Sequence, residues 1–149
     1  MNTAWLPVKD GDHRAYAIYR RHYSATKNPN PKQRQFVGPG QHIVLLTLRC
    51  DALFVWRKFI DHSGQEGVNC AVFRNEGRQL SSDLILDAEQ WAAARWPAQR
   101  LYTYVNANAV SSPNPGYCFK MAGWTRCGTT KAGLIILAKP ARGRIPTAP

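Results

Sequence analysis

The chain has 149 residues, of which 44% are apolar, 11% aromatic and 19% charged, with 11 Gly and 10 Pro. That is one domain's worth of chain, too short for two ordinary cores and too apolar for a disordered or fibrous protein. Twenty Lys and Arg against nine Asp and Glu give a net charge of +11. The excess is uneven: about +6 over residues 1–50, −1 over 51–100 and +6 over 101–149. No carboxylate occurs between His13 and Cys50, and none follows Glu89. Two basic ends around a near-neutral middle make a field that collects polyanions, so nucleic acid is the partner the charge favours. No apolar run approaches the roughly 18 residues of a membrane span, and MNTAWLPVKDGDHR has no signal-peptide core, which leads us to expect a cytoplasmic protein with no membrane partner. Cys50, Cys70, Cys118 and Cys127 form no C-x-x-C pair and read as buried reduced thiols.

In chain order, residues 11–24 place Ala15, Ile18, Tyr19 and His22 at helical spacing, with Arg14, Arg20 and Arg21 off that stripe. The stretch KNPNPKQRQFVGPG at 27–40 cannot continue a helix and reads as a basic surface loop of the kind that contacts a substrate. HIVLLTL at 42–48 and ALFVWRKFI at 52–60 read as a hairpin, and GVNCAVF at 67–73 as a third strand. Residues 80–97 read as a helix capped by Ser81 or Ser82, with Leu84, Ala88 and Trp91 as its buried stripe, Arg95 in its last turn and Pro97 as its stop. A strand over 100–105, a short helix over 114–123 with Pro115 in its first turn, and a strand over 133–138 follow. Residues 139–149 read as a loose basic tail. The expected fold is a single α/β (α+β) domain over residues 1–149, with helices packed on a mixed central sheet.

The crossing from the third strand to the long helix, CAVFRNEGRQLSSDL, is the candidate anion site. A helix N-terminus presents unpaired N–H groups and the positive end of its dipole. Here Arg74, Gly77 and Arg78 lie on the approach, and Ser81 and Ser82 offer hydroxyls.

A strand, an R-x-x-G turn, a helix, a strand and a short helix ending in Ala-Gly-Trp resemble the coenzyme A-binding core of the GCN5-related N-acetyltransferases (GNAT). The resemblance implies a GNAT-like domain with helices on both faces of its sheet, and a cofactor, acetyl-CoA or a related acyl-CoA, whose pyrophosphate lies on a Q/R-x-x-G-x-G/A turn. Arg74, Asn75, Glu76 and Gly77 match the first half of that turn, while Gln79 stands where the second small residue belongs. The implied cofactor-binding residues are Arg74, Asn75, Gly77, Ser81 and Ser82. Family members often carry a Tyr as general acid four residues before the Gly of the final Gly-aromatic pair. Counted back from Gly123, that place holds Phe119, and Tyr117 is the substitute candidate.

HYS at 22–24, FVGPG at 36–40, LFVWRKFID at 53–61, GVNCAVFRNEG at 67–77, LSSDLI at 80–85, RLYTYV at 100–105 and NPGYCFKMAGW at 114–124 further resemble the bacteriophage Mom proteins. That resemblance, over about residues 14–138, implies carbamoylmethylation of the exocyclic amine of adenine in DNA, protecting phage DNA from restriction, in the host cytoplasm. Such an enzyme draws its base out of the duplex or acts on single strands. Tyr16, Tyr19, Tyr23, Tyr102 and Tyr104 are the available stacking faces. For proton transfer, Asp61 and His62, just after a strand, and Glu76, beside the phosphate turn, are the candidates. His13, His22, His42 and His62 with Asp51 or Asp61 could assemble a metal site, but no His pair among them has the helical i, i+4 spacing, so a metal stays open without being predicted. The alternatives are an N-acetyltransferase acting on a protein or small amine, and a catalytically silent DNA-binding protein with this fold.

Overall fold

The computed structural model describes residues 4–60, 64–109 and 113–140. Its elements are β1 (Trp5–Val8), α1 (His13–Tyr19), β2 (Gln41–Thr47), β3 (Ala52–Lys58), β4 (Val68–Asn75), α2 (Ser81–Arg95), β5 (Leu101–Val105), α3 (Tyr117–Met121), β6 (Thr125–Thr129) and β7 (Ile135–Lys139). The strands form one sheet in the order β1-β2-β3-β4-β5-β7-β6. All neighbours are antiparallel except β4 and β5, which are parallel and joined through α2. The domain is therefore mixed α+β.

β1 and β6 lie outside the elements expected from the sequence. β1 contains Pro7, which an edge strand tolerates because one side of its backbone needs no ladder partner, and it pairs with β2 from Trp5↔Thr47 to Val8↔Val44. β6 is mostly exposed and occupies the opposite edge, beside β7.

Two apolar clusters take alternate residues of β2 and β3, which point to opposite faces of a strand. Leu45, Ala52, Phe54 and Trp56 join Leu84, Ile85, Ala88 and Ala92 of α2 and Phe119 of α3 in one. Val44, Leu46, Leu53 and Val55 join Ala15, Ile18 and Tyr19 of α1 in the other. The indole N–H groups of Trp5 and Trp56 donate to the carbonyls of Leu84 and Ala88 at 2.9 and 2.8 Å, fixing the height of α2 over the sheet. Each such buried bond contributes about 1 kcal/mol net.

Helix α1 is shorter than the apolar spacing suggests. Asp12 caps it, its carboxylate accepting the N–H groups of Arg14 and Ala15, and the chain leaves the helix after Tyr19, so His22 sits in the following turns. Helix α2 starts at Ser81, but neither serine caps it. Leu80 holds the cap position with no side-chain bond, and the first-turn N–H groups lack a capping acceptor. Its buried stripe runs through Leu84, Ile85, Ala88, Glu89 and Ala92, with Trp91 only partly covered. In α3 the cap position is Gly116, at φ 77°, so Pro115 stands before the helix rather than in its first turn. Of the four thiols only Cys70 is buried; Cys50 and Cys118 are half-buried and Cys127 is exposed.

Candidate functional site

The sheet is open in its middle. β4 and β5 pair only through Val68↔Leu101, Asn69↔Tyr102 and Cys70↔Thr103. Beyond Cys70 the two strands part, and β4 bulges. Its partners in β3, Val55 and Trp56, face Val72 and Cys70, so Ala71 is the extra residue and leaves the ladder. A cleft of about 150 Å³ fills the gap, with Cys70, Ala71 and Phe73 on one wall, Thr103, Tyr104 and Val105 on the other, and His22, Tyr23, Cys118 and Phe119 around it. It opens at the carboxyl ends of two parallel strands, the place where sheets with βαβ crossovers take ligands.

His22 is the polar group of this cleft that periodicity misassigns. Its Nδ1 accepts the Ser24 N–H at 3.1 Å and lies 2.7 Å from Ser24 Oγ, while its ring stacks on Tyr23 at 4.3 Å. Burial, with the Arg74 guanidinium beside it, pushes the imidazole down to about 4, so it is neutral at pH 7. With Nδ1 accepting a backbone N–H, a neutral ring carries its proton on Nε2 and acts as a hydrogen-bond donor. Burial also pushes the thiols of Cys70 and Cys118 up, keeping both protonated. The signal for His22 was the HYS triplet, whose meaning depends on a turn that spacing does not reveal.

The residues expected to hold a cofactor gather immediately past the cleft, at the β4–α2 turn. Much of that turn is stitched from within. The Asn75 amide donates to the Gln79 carbonyl at 2.7 Å and to Ser81 Oγ at 3.0 Å, and its Oδ1 accepts the Gly77 N–H at 3.0 Å. Beneath lies the β2–β3 turn, where Thr47 Oγ1 donates to the Asp51 carboxylate at 2.7 Å and accepts the N–H groups of Asp51 and Ala52, with Cys50 at φ 57°. The Glu76 N–H donates to the Asp51 carbonyl at 2.7 Å, and a Cβ on Gly77 would fall 2.2 Å from Asp51 Oδ2. A side chain there would displace the Asp51 carboxylate from Thr47. The groups left to face a ligand are the Ser82 hydroxyl, the first-turn N–H groups of α2 and the exposed Arg78.

Glu76, expected as a proton acceptor, is instead clamped. Arg21 donates to both its oxygens, at 2.6 and 2.7 Å, and Arg74 donates to Oε2 at 2.7 Å. The two guanidiniums hold the carboxyl down at about 2, which makes it a poor base and ties the segment after α1 to the end of β4. Tyr117 is 54% exposed and does not line the cleft, whereas its neighbours Cys118 and Phe119 do, Phe119 being 7% exposed and packed edge-on against Phe73. Asp61 and His62 lie outside the described residues. His13, His22 and His42 are dispersed over α1, the turns after it and β2, and among the described residues no group of three His, Cys, Asp or Glu side chains gathers as a metal site would require. Likewise, no described helix is long and apolar enough to cross a membrane. Compared with known proteins, the chain matches no family model and no curated protein.

Proposed function

We propose that this protein is an acyl-coenzyme A-dependent DNA-modifying transferase with a GNAT-like domain and helices on both faces of its sheet, acting on the exocyclic amine of adenine as the resemblance to Mom proteins implies. The observation that carries the reading is the parting of β4 and β5 beyond Cys70 and Thr103, with the uncapped start of α2 just past the end of β4. A strand that loses its neighbour exposes a row of N–H and C=O groups, which suits a slender amide-bearing arm such as that of coenzyme A. The first-turn N–H groups of α2 and the Ser82 hydroxyl suit its diphosphate. A bound acyl-coenzyme A would supply an electrophilic thioester carbonyl; attack by the amine there forms an amide and releases the coenzyme A thiol, so the group delivered to adenine is an acyl group rather than a carbamoylmethyl group. The chain's own part is to hold that carbonyl in the cleft, where the bulge at Ala71 frees a backbone N–H and His22 offers a donor.

The adenine amine is a weak nucleophile and is stacked inside a duplex, so the base has to leave the helix at a cost of a few kcal/mol. The net charge of +11 supplies phosphate attraction that offsets this. Asp61 and His62 remain the candidates for taking up the proton, since Glu76 is held by two arginines.

The test is to express the protein in a bacterium, digest total DNA to nucleosides, and look by mass spectrometry for a modified deoxyadenosine. We expect it with the native chain and not with Ser82→Glu, which sets a carboxylate against the diphosphate site. Acetyl-coenzyme A should raise the melting temperature of the native chain only. Unmodified DNA together with no melting shift overturns the reading. The removal of Tyr117 from the cleft and the burial of Phe119 favour a second reading, a catalytically silent DNA-binding protein with this fold. It predicts salt-sensitive DNA binding without coenzyme A affinity.

A further inference from the structure

Beneath the basic loop that follows α1 lies a second cavity, of about 270 Å³, separate from the cleft. Its volume falls just below the range of about 300–1,000 Å³ typical of sites for drug-sized ligands, a space on the scale of one nucleoside. One wall is aromatic: Tyr19 and Phe36 stack at 4.5 Å and 19°, and Tyr16 leans on both at 6.2 and 6.3 Å while staying only partly buried. The loop adds Asn28, Asn30 and Gln33 to the lining; the Asn30 Oδ1 accepts the Lys32 N–H at 3.0 Å and the Gln33 amide donates to the Gln35 carbonyl at 3.5 Å, while the Asn28 amide and the remaining donors and acceptors of the other two can serve a heterocycle edge. Arg20 lines the cavity, and the Arg34 guanidinium stands 5.7 Å over the Tyr16 ring. Among the described residues no carboxylate lines it. The nearby Asp10 is engaged, accepting the N–H groups of Phe36 and Val37 at 2.9 and 3.4 Å, which anchors the far end of the loop. Arg20 donates to the Thr26 carbonyl and so closes the near end.

The two cavities share one short piece of chain. Tyr19, Arg20 and Thr26 line this cavity, and His22 and Tyr23, between them in sequence, line the β4–β5 cleft. A strand of nucleic acid whose reacting base enters the cleft would therefore carry a neighbouring base past the 20–26 turn to the second cavity.

We propose that this cavity is a subsite for an unpaired nucleobase flanking the modified one, stacked on Tyr16, edged by the loop amides, with the adjoining phosphate held by Arg20 and Arg34. It rests on the reading of DNA as the acceptor. Aromatic faces bind any base by stacking, and the amides would favour particular bases at that one position.

The test is fluorescence anisotropy with single-stranded hexanucleotides on the full chain. Tyr16→Ala should weaken binding by about 5- to 150-fold, the range for loss of one base stack, while Tyr16→Phe keeps it near the native value. An oligonucleotide with one abasic position should lose the same factor on the native chain, and lose nothing more on Tyr16→Ala. If Tyr16→Ala binds as tightly as the native chain, or if no abasic position couples to Tyr16, the subsite is overturned. Should Tyr16→Ala fail to fold, Arg34→Gln takes its place, with a loss of at least 3-fold expected and an unchanged affinity overturning the proposal. Acetyl-coenzyme A binding, followed on the same variants, separates the two claims. Its absence beside intact base coupling removes the transferase reading and leaves the subsite, and its presence without oligonucleotide binding does the reverse. A loop that captures peptides rather than bases would show no abasic coupling, which also overturns the subsite.

Discussion

Replacing Glu89 by Leu should cost far more than a typical helix substitution, although Glu89 stands in α2 at a place where an apolar stripe would normally continue. The residue is 1% exposed. Its carboxylate accepts the Trp124 indole N–H at 3.1 Å and the Lys139 ammonium at 2.9 Å on Oε1 and 3.2 Å on Oε2, and the same ammonium donates to the Ala122 carbonyl at 2.7 Å. One side chain of α2 thus fastens the turn after α3 and the last strand of the sheet. Removing it leaves a buried indole N–H unpaired, at about 1–3 kcal/mol, and strands an ammonium whose side chain is 22% exposed. Breaking one side of a buried pair costs about 3–5 kcal/mol in all, the two contributions overlapping rather than adding. For a chain of this size that is a fall of roughly 6–20 °C in melting temperature. Urea titration of the native chain, Glu89→Leu, Lys139→Met and the double variant decides the matter. We expect the double variant to recover at least about 1 kcal/mol relative to the sum of the singles, because the two changes remove one interaction. A loss below about 1 kcal/mol in Glu89→Leu, or strict additivity, refutes the argument.

Acid should destabilise the fold in two stages. His22 binds its proton at about 4 when folded against 6.5 when free, so the unfolded chain protonates first and stability falls, by up to about 3 kcal/mol, as pH drops from 6.5 to 4. Glu76, held down from 4.5 to about 2, contributes stability above pH 4.5 that is lost as pH falls towards 2; a urea midpoint that is flat from pH 7 to 4 contradicts the first stage. Alkylation followed by mass spectrometry should label exposed Cys127 well before Cys70, which reacts only on unfolding; equal rates would contradict the burial of Cys70. Gly67→Ala should lose at least about 2 kcal/mol in urea titration, because at φ 117° a Cβ would lie 2.0 Å from the Arg100 carbonyl oxygen where β4 and β5 begin their pairing; a near-neutral result would contradict that approach.

Much of the architecture was legible where apolar spacing and punctuation agree. The hairpin around Cys50, the long helix ending before Pro97 and the strand at Leu101–Val105 all follow from runs of Val, Leu, Ile and aromatics bounded by turn residues. β1 and β6 were not legible, because each is made by its neighbour: Trp5–Val8 contains a proline, and Thr125–Thr129 is exposed at every residue but Gly128 and has no apolar alternation. The helix start was misread for a related reason. Ser81 has the composition of a cap, but Asn75 claims its hydroxyl, and the cap position slides back to Leu80. Of the candidate site, the β4–α2 turn could be located in sequence because its residues are contiguous. The cleft could not, since His22, Ala71, Thr103 and Cys118 meet only when the strands part, and Arg21 reaches Glu76 across 55 positions. Glu89 was invisible for want of any local sign that its partners, Trp124 and Lys139, lie 35 and 50 residues on.

The short parallel seam has a mechanical corollary. Strands β1–β4 with α1 form one plate, and β5, β7 and β6 form another; within the sheet only Val68–Cys70 joins them, and the α2 crossover and the apolar core beneath it, where Trp56 stacks on Trp124, complete the connection. Anything lying along the gap touches both plates, so its grip acts as a rivet, and native-state amide exchange across Val68–Cys70 should slow by the factor set by ligand concentration over its dissociation constant. Width of the gap and tightness of the seam are then one variable, and shortening the stitching by a residue would alter what the protein holds as directly as any change inside the pocket.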